Sequence, residues 1–248
     1  MVNKYFFLAL IPLLFNTKTF AIINLAADSL ENYLGSIAPQ ILSEGDSLDI
    51  DPRINKIVVG FGWDPEEKSD YIDMDLNLHL IKRSRHMSKI IWHGNLKYQT
   101  KICSRYQGLI FHSGDSVTGE GEGDDESITI LLGGINKNKK DISHMIASVV
   151  SYSGQSLQTI KNSFCRILAV TESGYTQELA RYPIGWNNNS IELDEQQGVI
   201  IFSIFKQMNH WTIKVIGKGV DSVKGHSMVL ATECQDKIKD LLQGNELN

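Results

Sequence analysis

Eight consecutive residues, Asp73-Met74-Asp75-Leu76-Asn77-Leu78-His79-Leu80, alternate polar and apolar without a break. A period of two sets Met74, Leu76, Leu78 and Leu80 on one side of an extended chain, and Asp73, Asp75, Asn77 and His79 on the other. The pattern predicts a strand with one buried face and one polar face. Ile57-Val58-Val59-Gly60-Phe61, a β-branched run between turn residues, predicts a second, buried strand. Further short strands are expected over 88–93, 107–112, 127–132, 143–151, 164–171, 176–182, 199–206 and 211–217, most of them separated by Gly, Asn, Ser or Asp. Helix signals are few: residues 30–34 before Gly35 and Pro39, a short run Leu157–Asn162 capped by Ser156, and Thr232–Leu242. Many short strands between turn signals predict an all-β fold, an antiparallel β-sandwich with short helical segments. No internal repeat and no linker divides the chain after residue 43.

Charge narrows the function. Twenty-four Lys and Arg against 29 Asp and Glu leave a net charge of -5, with no basic surplus for phosphates, so no nucleic-acid partner is expected. The acids are also uneven. From Tyr106 to Asn136 there is no Lys or Arg, and that window holds Asp115, Glu120, Glu122, Asp124, Asp125 and Glu126. Carboxylates this close repel one another unless cations or water screen them. The interleaved glycines let the backbone turn and expose carbonyl oxygens. Hard oxygens on a bendable loop suit Ca²⁺, which takes 6–8 of them; Mg²⁺ demands a tighter octahedron. A solvated connector with no ligand is the other reading of the same composition. The loop is no EF-hand, because Val117 and Gly119 stand at ligand positions and Glu120 replaces the required glycine.

Enzyme chemistry finds little support. Paired carboxylates could act as acid and base in a glycoside hydrolase, but so dense an acidic cluster makes selective tuning of one carboxyl hard. No GxGxxG, P-loop, GxSxG or HExxH occurs. His79, His93 and His112 are read as strand-face residues rather than a transition-metal site. Cys103, Cys165 and Cys234 form no CxxC, and Cys165, in an apolar run, reads as a small core residue. The four tryptophans read as core or loop-packing residues.

The string His112-Ser-Gly-Asp-Ser-Val-Thr-Gly-Glu-Gly-Glu-Gly-Asp-Asp-Glu126 resembles the hallmark loop of the tellurium-resistance TerD family. Val59-Gly60-Phe61-Gly62-Trp63-Asp64 and Asp73-Met74-Asp75 are similar to that family's Gly-Trp-Asp and Asp-Leu-Asp segments. Gln155, Asn162–Arg166, Glu178–Tyr182 and Trp211 through Gly219 follow in the family's order, so the resemblance covers residues 41–219. It implies a Ca²⁺-binding β-sandwich of stress response and tellurite resistance, without settled enzymatic activity. The ligands it implies are drawn from Asp64, Asp73, Asp75, Asp115, Thr118, Gly119, Glu120, Glu122, Asp124, Asp125 and Glu126. The metal then serves a sensor or a metal-stabilised interaction module, with protein partners, membrane-associated ones included; a metal-independent interaction module is the alternative. Three places depart from the family: Ser116 replaces an Asn, His93-Gly94-Asn95 replaces a Tyr-Asn-Asn segment, and Leu76-Asn77 replaces the small residues after Asp-Leu-Asp.

The N-terminus is read separately. Lys4, the apolar run Tyr5–Phe15 and a small residue at Ala21 have the layout of a secretory signal peptide. Residues 1–21 are therefore expected to be removed, 22–40 to form an N-terminal extension, 41–219 the sandwich and 220–248 a C-terminal extension. Export to the periplasm or beyond follows from that reading, against the cytoplasmic location usual for the family.

Overall fold

The computed structural model describes residues 30–64, 71–102, 105–139, 141–184, 196–220 and 227–247. The signal-peptide reading of residues 1–21 falls outside them, as do Trp186 and Cys103. Two sheets face each other. One has seven strands in the order β1 (Gln40–Ile41), β11 (Thr176–Pro183), β10 (Lys161–Val170), β3 (Lys56–Asp64), β8 (Glu126–Leu131), β7 (Arg105–His112) and β6 (Lys97–Ile102). The other has six: β2 (Ser47–Ile50), β13 (His210–Val220), β12 (Gly198–Gln207), β9 (Ile142–Ser151), β4 (Met74–Lys82) and β5 (Met87–Ile91). Described strand pairs are antiparallel except β1 with β11, which run parallel. The antiparallel sandwich is therefore as expected, with one parallel edge added.

The alternation in β4 sorts its side chains as the period requires. Met74, Leu76, Leu78 and Leu80 enter the core between the sheets, with Val59, Phe61 and Trp63 of β3 and Phe202, Ile204 and Ile213 from β12 and β13. Phe61 and Trp63 stack at 4.9 Å, and the Trp63 indole N–H donates to the Ile72 carbonyl at 3.0 Å. The other face of β4 departs from expectation: Asp73, Asp75, Asn77 and His79 are buried, not solvated. Helix α3 (Ser227–Gly244) accounts for part of this. Its Cys234, Ile238, Leu241 and Leu242 recur at helical spacing and pack with Ile81, Ile146, Val150, Ile200, Ile216 and Val220 on that outer face. Asn245, at φ 58°, ends the helix in the left-handed region; the Glu246 N–H returns to the Leu241 carbonyl at 3.0 Å, and Arg85 donates to the Leu242 carbonyl at 3.2 Å.

Other elements refine the reading. Residues 30–35 are helical (α1), as expected. The helix expected from Ser156 is only a single 3₁₀ turn, Leu157–Thr159; Ser156 does cap it, accepting from the Gln158 N–H at 3.3 Å. Residues after it are drawn into β10, whose pairing with β3 starts at Lys161 opposite Asp64. Helix α2 (Leu132–Asn138), between β8 and β9, has no side-chain cap and is anchored by buried Leu132 and Ile135. Cys165 and Cys234 are both buried.

Candidate cation site

Glycine lets the acidic loop fold back on the sheet. Between β7 and β8 the loop is closed at its base by Ser113, whose N–H donates to the Ser127 carbonyl and whose hydroxyl accepts from the Ser127 N–H, both at 2.9 Å. Gly114, Gly119, Gly121 and Gly123 all have positive φ. At Gly119 the requirement is absolute: a Cβ there would lie 2.2 Å from the Trp63 indole nitrogen.

The loop divides its acids between two places. On one side, Asp115 meets Asp73 and Asp75 at the start of β4, together with His93 from the turn between β5 and β6. His93 Nδ1 lies 2.5 Å from Asp75 Oδ1 and 3.5 Å from Asp115 Oδ1. One donor atom from each of Asp75, His93 and Asp115 lies within 4.8 Å of the others. Asp73 Oδ2 accepts from the Tyr71 hydroxyl at 3.0 Å, while Asp73 Oδ1 and Asp75 Oδ2 are buried without a hydrogen-bond partner among the described residues. Burial pushes the Asp75 carboxyl up to about 6, against the pull of the His93 imidazole; Asp73 is raised as well, again chiefly by burial.

Glu126 backs this group and ties the sheets together. Its carboxylate accepts from the Leu76 N–H at 2.7 Å and the Ser116 N–H at 3.3 Å. His112 Nε2 donates to the Leu76 carbonyl at 3.0 Å, and its Nδ1 accepts from the Gly114 N–H at 3.1 Å. β5 pairs only with Leu78–Ile81, so these two side chains serve the backbone of β4 beyond its reach. Burial raises Glu126 to about 9 and lowers His112, the direction that favours the neutral imidazole these two hydrogen bonds require.

On the other side lie Asp64, Asp124 and Asp125, each engaged with the protein. Asp64 accepts from the Asn162 amide at 2.9 Å. Asp124 packs over Gly60, where a Cβ would fall 2.2 Å away, and pairs with Arg166 at 2.7 Å; Arg166 also reaches Glu178 at 3.0 Å. Asp125 accepts from the Trp63 N–H and donates its own N–H to the Phe61 carbonyl, both at 2.9 Å, so it locks the loop to β3. Thr118, Glu120 and Glu122 are exposed.

The structure thus brings three of the expected ligands together, Asp73, Asp75 and Asp115, with Glu126 behind them. It also adds His93, which the sequence reading had on a strand face. His93 sits instead in a turn closed by Trp92 and Asn95. The Gly94-Asn95 pair is the signal for that turn. The chemistry of the group fits a cation. Two orphaned carboxylate oxygens are buried beside an exposed third carboxylate, and a bound positive charge would satisfy them and offset their desolvation.

The TerD domain family matches residues 40–224 of the chain. Tellurium resistance protein TerZ of Serratia marcescens is 30% identical over 66% of this chain and 80% of its own length. General stress protein 16U of Bacillus subtilis (strain 168) is 28% identical over 72% of this chain and 89% of its own. Among solved structures, a homologue of telluride resistance protein (TerD) from Streptomyces coelicolor A3(2) superposes with a TM-score of 0.50 at 15% identity, covering 71% of this chain and 98% of its own.

Proposed function

The chain belongs to the TerD family, and on that premise we propose that it is a Ca²⁺-binding TerD domain of a stress or tellurite-resistance response, acting through protein partners. The observation that carries the reading is the pair of buried, unpartnered oxygens, Asp73 Oδ1 and Asp75 Oδ2, beside Asp115 on a glycine-rich loop. Asp73, Asp75 and Asp115 would hold the ion, with loop carbonyls completing a shell of hard oxygens. The ion would supply the positive charge that buried carboxylates need. The role is binding, not catalysis. Glu126, Asp124 and Asp125 are committed to backbone or arginine contacts that hold the loop.

Because the ion ties β4 to the β7–β8 loop, filling the site orders the end of the sandwich where partners, membrane-associated ones included, would read it. The reading includes export, which suits a site of modest affinity: extracellular Ca²⁺ modules work at ~10⁻⁴–10⁻³ M. Calorimetric titration of the metal-stripped protein with Ca²⁺ tests the central claim. Binding to the folded state alone would stabilise it by about 2.7 kcal/mol at a hundredfold excess over Kd. A melting temperature equal in chelator and in millimolar Ca²⁺ would reject it. N-terminal sequencing of protein from its native cell tests export, and a retained Met1 or Val2 would reject that part.

A further inference from the structure

We propose that the pocket formed by Asp75, His93 and Asp115, besides Ca²⁺, takes a first-row transition-metal dication, held through the His93 imidazole nitrogen as well as the carboxylates. The inference rests on the reading of this pocket as a cation site and extends the ions it accepts beyond Ca²⁺. Nδ1 of His93 is directed between the two acids, 2.5 Å from Asp75 Oδ1 and 3.5 Å from Asp115 Oδ1. Metal–nitrogen and metal–oxygen bonds of about 2.0–2.2 Å put neighbouring ligands roughly 3–3.5 Å apart. The three donors, all within 4.8 Å of one another, therefore need only small shifts to share one ion. An independent sign of a ligand is the pair of unpartnered oxygens on Asp73 and Asp75, whose exposures are 5% and 2%.

The imidazole is also held in place before any ion arrives. The Trp92 ring packs on it at 4.5 Å between centroids. Trp92 and Asn95 close the turn with reciprocal backbone bonds, and the Asn95 amide donates to the Ile90 carbonyl. A Cβ at Gly94 would come within 2.6 Å of the Trp92 ring, so the turn needs glycine to keep the ring where it is. Calcium selects hard oxygens, whereas imidazole favours zinc, cobalt, nickel and copper. A nitrogen donor set among carboxylates shifts the preference of the pocket toward those ions.

The test uses the full, tag-free chain, stripped of metal and titrated separately with Zn²⁺, Co²⁺ and Ca²⁺. Zn²⁺ should bind at least about tenfold tighter than Ca²⁺, and Co²⁺ should develop a visible ligand-field spectrum. His93→Asn should weaken Zn²⁺ at least about tenfold while Ca²⁺ affinity stays within about threefold. As a readout that needs no variant, the ¹⁵N resonance of His93 Nδ1 should move on adding Zn²⁺. An unmoved resonance, or unchanged Zn²⁺ affinity in a folded His93→Asn variant, overturns the proposal. Ca²⁺ binding without any Zn²⁺ preference overturns it and leaves the calcium reading standing. Failure to bind any of the three ions overturns both.

Discussion

Asp75 shows how one side chain can work against the fold and for the site. Burial raises its carboxyl to about 6, so at higher pH the metal-free protein carries an ionised group that it disfavours. Asp75→Asn removes that charge while keeping the size. The variant should gain about 1–3 kcal/mol in chelator at pH 8 and lose at least about tenfold in Ca²⁺ affinity, as read by urea unfolding and calorimetry. Loss of stability in chelator would mean that the carboxylate serves packing instead. Gly119 makes the opposite case. Its φ of 60° and the 2.2 Å approach that a Cβ would make to Trp63 leave no room for a side chain. Gly119→Ala should cost about 2–4 kcal/mol, from left-handed strain and overpacking together, and should quench or shift the Trp63 fluorescence. A melting temperature within error of wild type would show that the loop is free to move off the indole.

Among the elements, α3 matters more than its place at the end of the chain suggests. It covers apolar residues on β4, β9, β12 and β13, so these inner strands of the six-stranded sheet are packed on their outer face as well. Ile238, fully buried at that contact, should cost about 2–5 kcal/mol when changed to Ala, measured by chemical denaturation. A cost below about 1 kcal/mol would make the helix a loosely docked appendage. The covered face also explains the buried His79, whose Nε2 meets the Ser148 hydroxyl at 2.9 Å and which burial drives down to about 3. That helix was legible as a helix from its spacing, but its seat was not, because periodicity reports one face and not the surface it meets. Helix α2 was not legible at all: Leu131 stands at its N-cap, and Gly133 and Gly134 lie inside it. The short edge strands β1 and β2, with 2 and 4 residues, are too brief to show a period.

For the whole molecule, the buried groups predict a particular pH response. Glu126 rises from 4.5 to about 9 and Asp75 from 3.8 to about 6 on folding. A raised carboxyl contributes stability below its unfolded value and loses it as pH climbs through the folded one. His79, lowered from 6.5 to about 3, acts in the reverse sense: its contribution is present above 6.5 and fades as pH falls. The two trends oppose each other at acid pH, and above about pH 6.5 Glu126 contributes most to the slope. In chelator the melting temperature should therefore fall from pH 6.5 to 9, and Glu126→Gln should flatten that decline. Saturating Ca²⁺, which favours ionised carboxylates nearby, should reduce it too. A flat profile in chelator would contradict the assignment of Glu126 as a buried acid.

Local pattern was enough for the class of fold. The alternation in β4, the β-branched run in β3 and the regular turn signals each depend on neighbours a few residues apart, and the sandwich follows from them. Local pattern also marked the acidic loop, since density of charge and glycine is visible in one dimension. What it could not decide was which acids meet. Asp115 reaches Asp75 and His93, while Asp124, nine residues later, turns to Arg166 on a different strand. That division is set by sheet register and loop curvature, which bring together groups far apart along the chain. The buried state of Asp73 and Asp75 was decided the same way: period two assigns a residue to a face, and only the packing of other elements determines whether that face meets water.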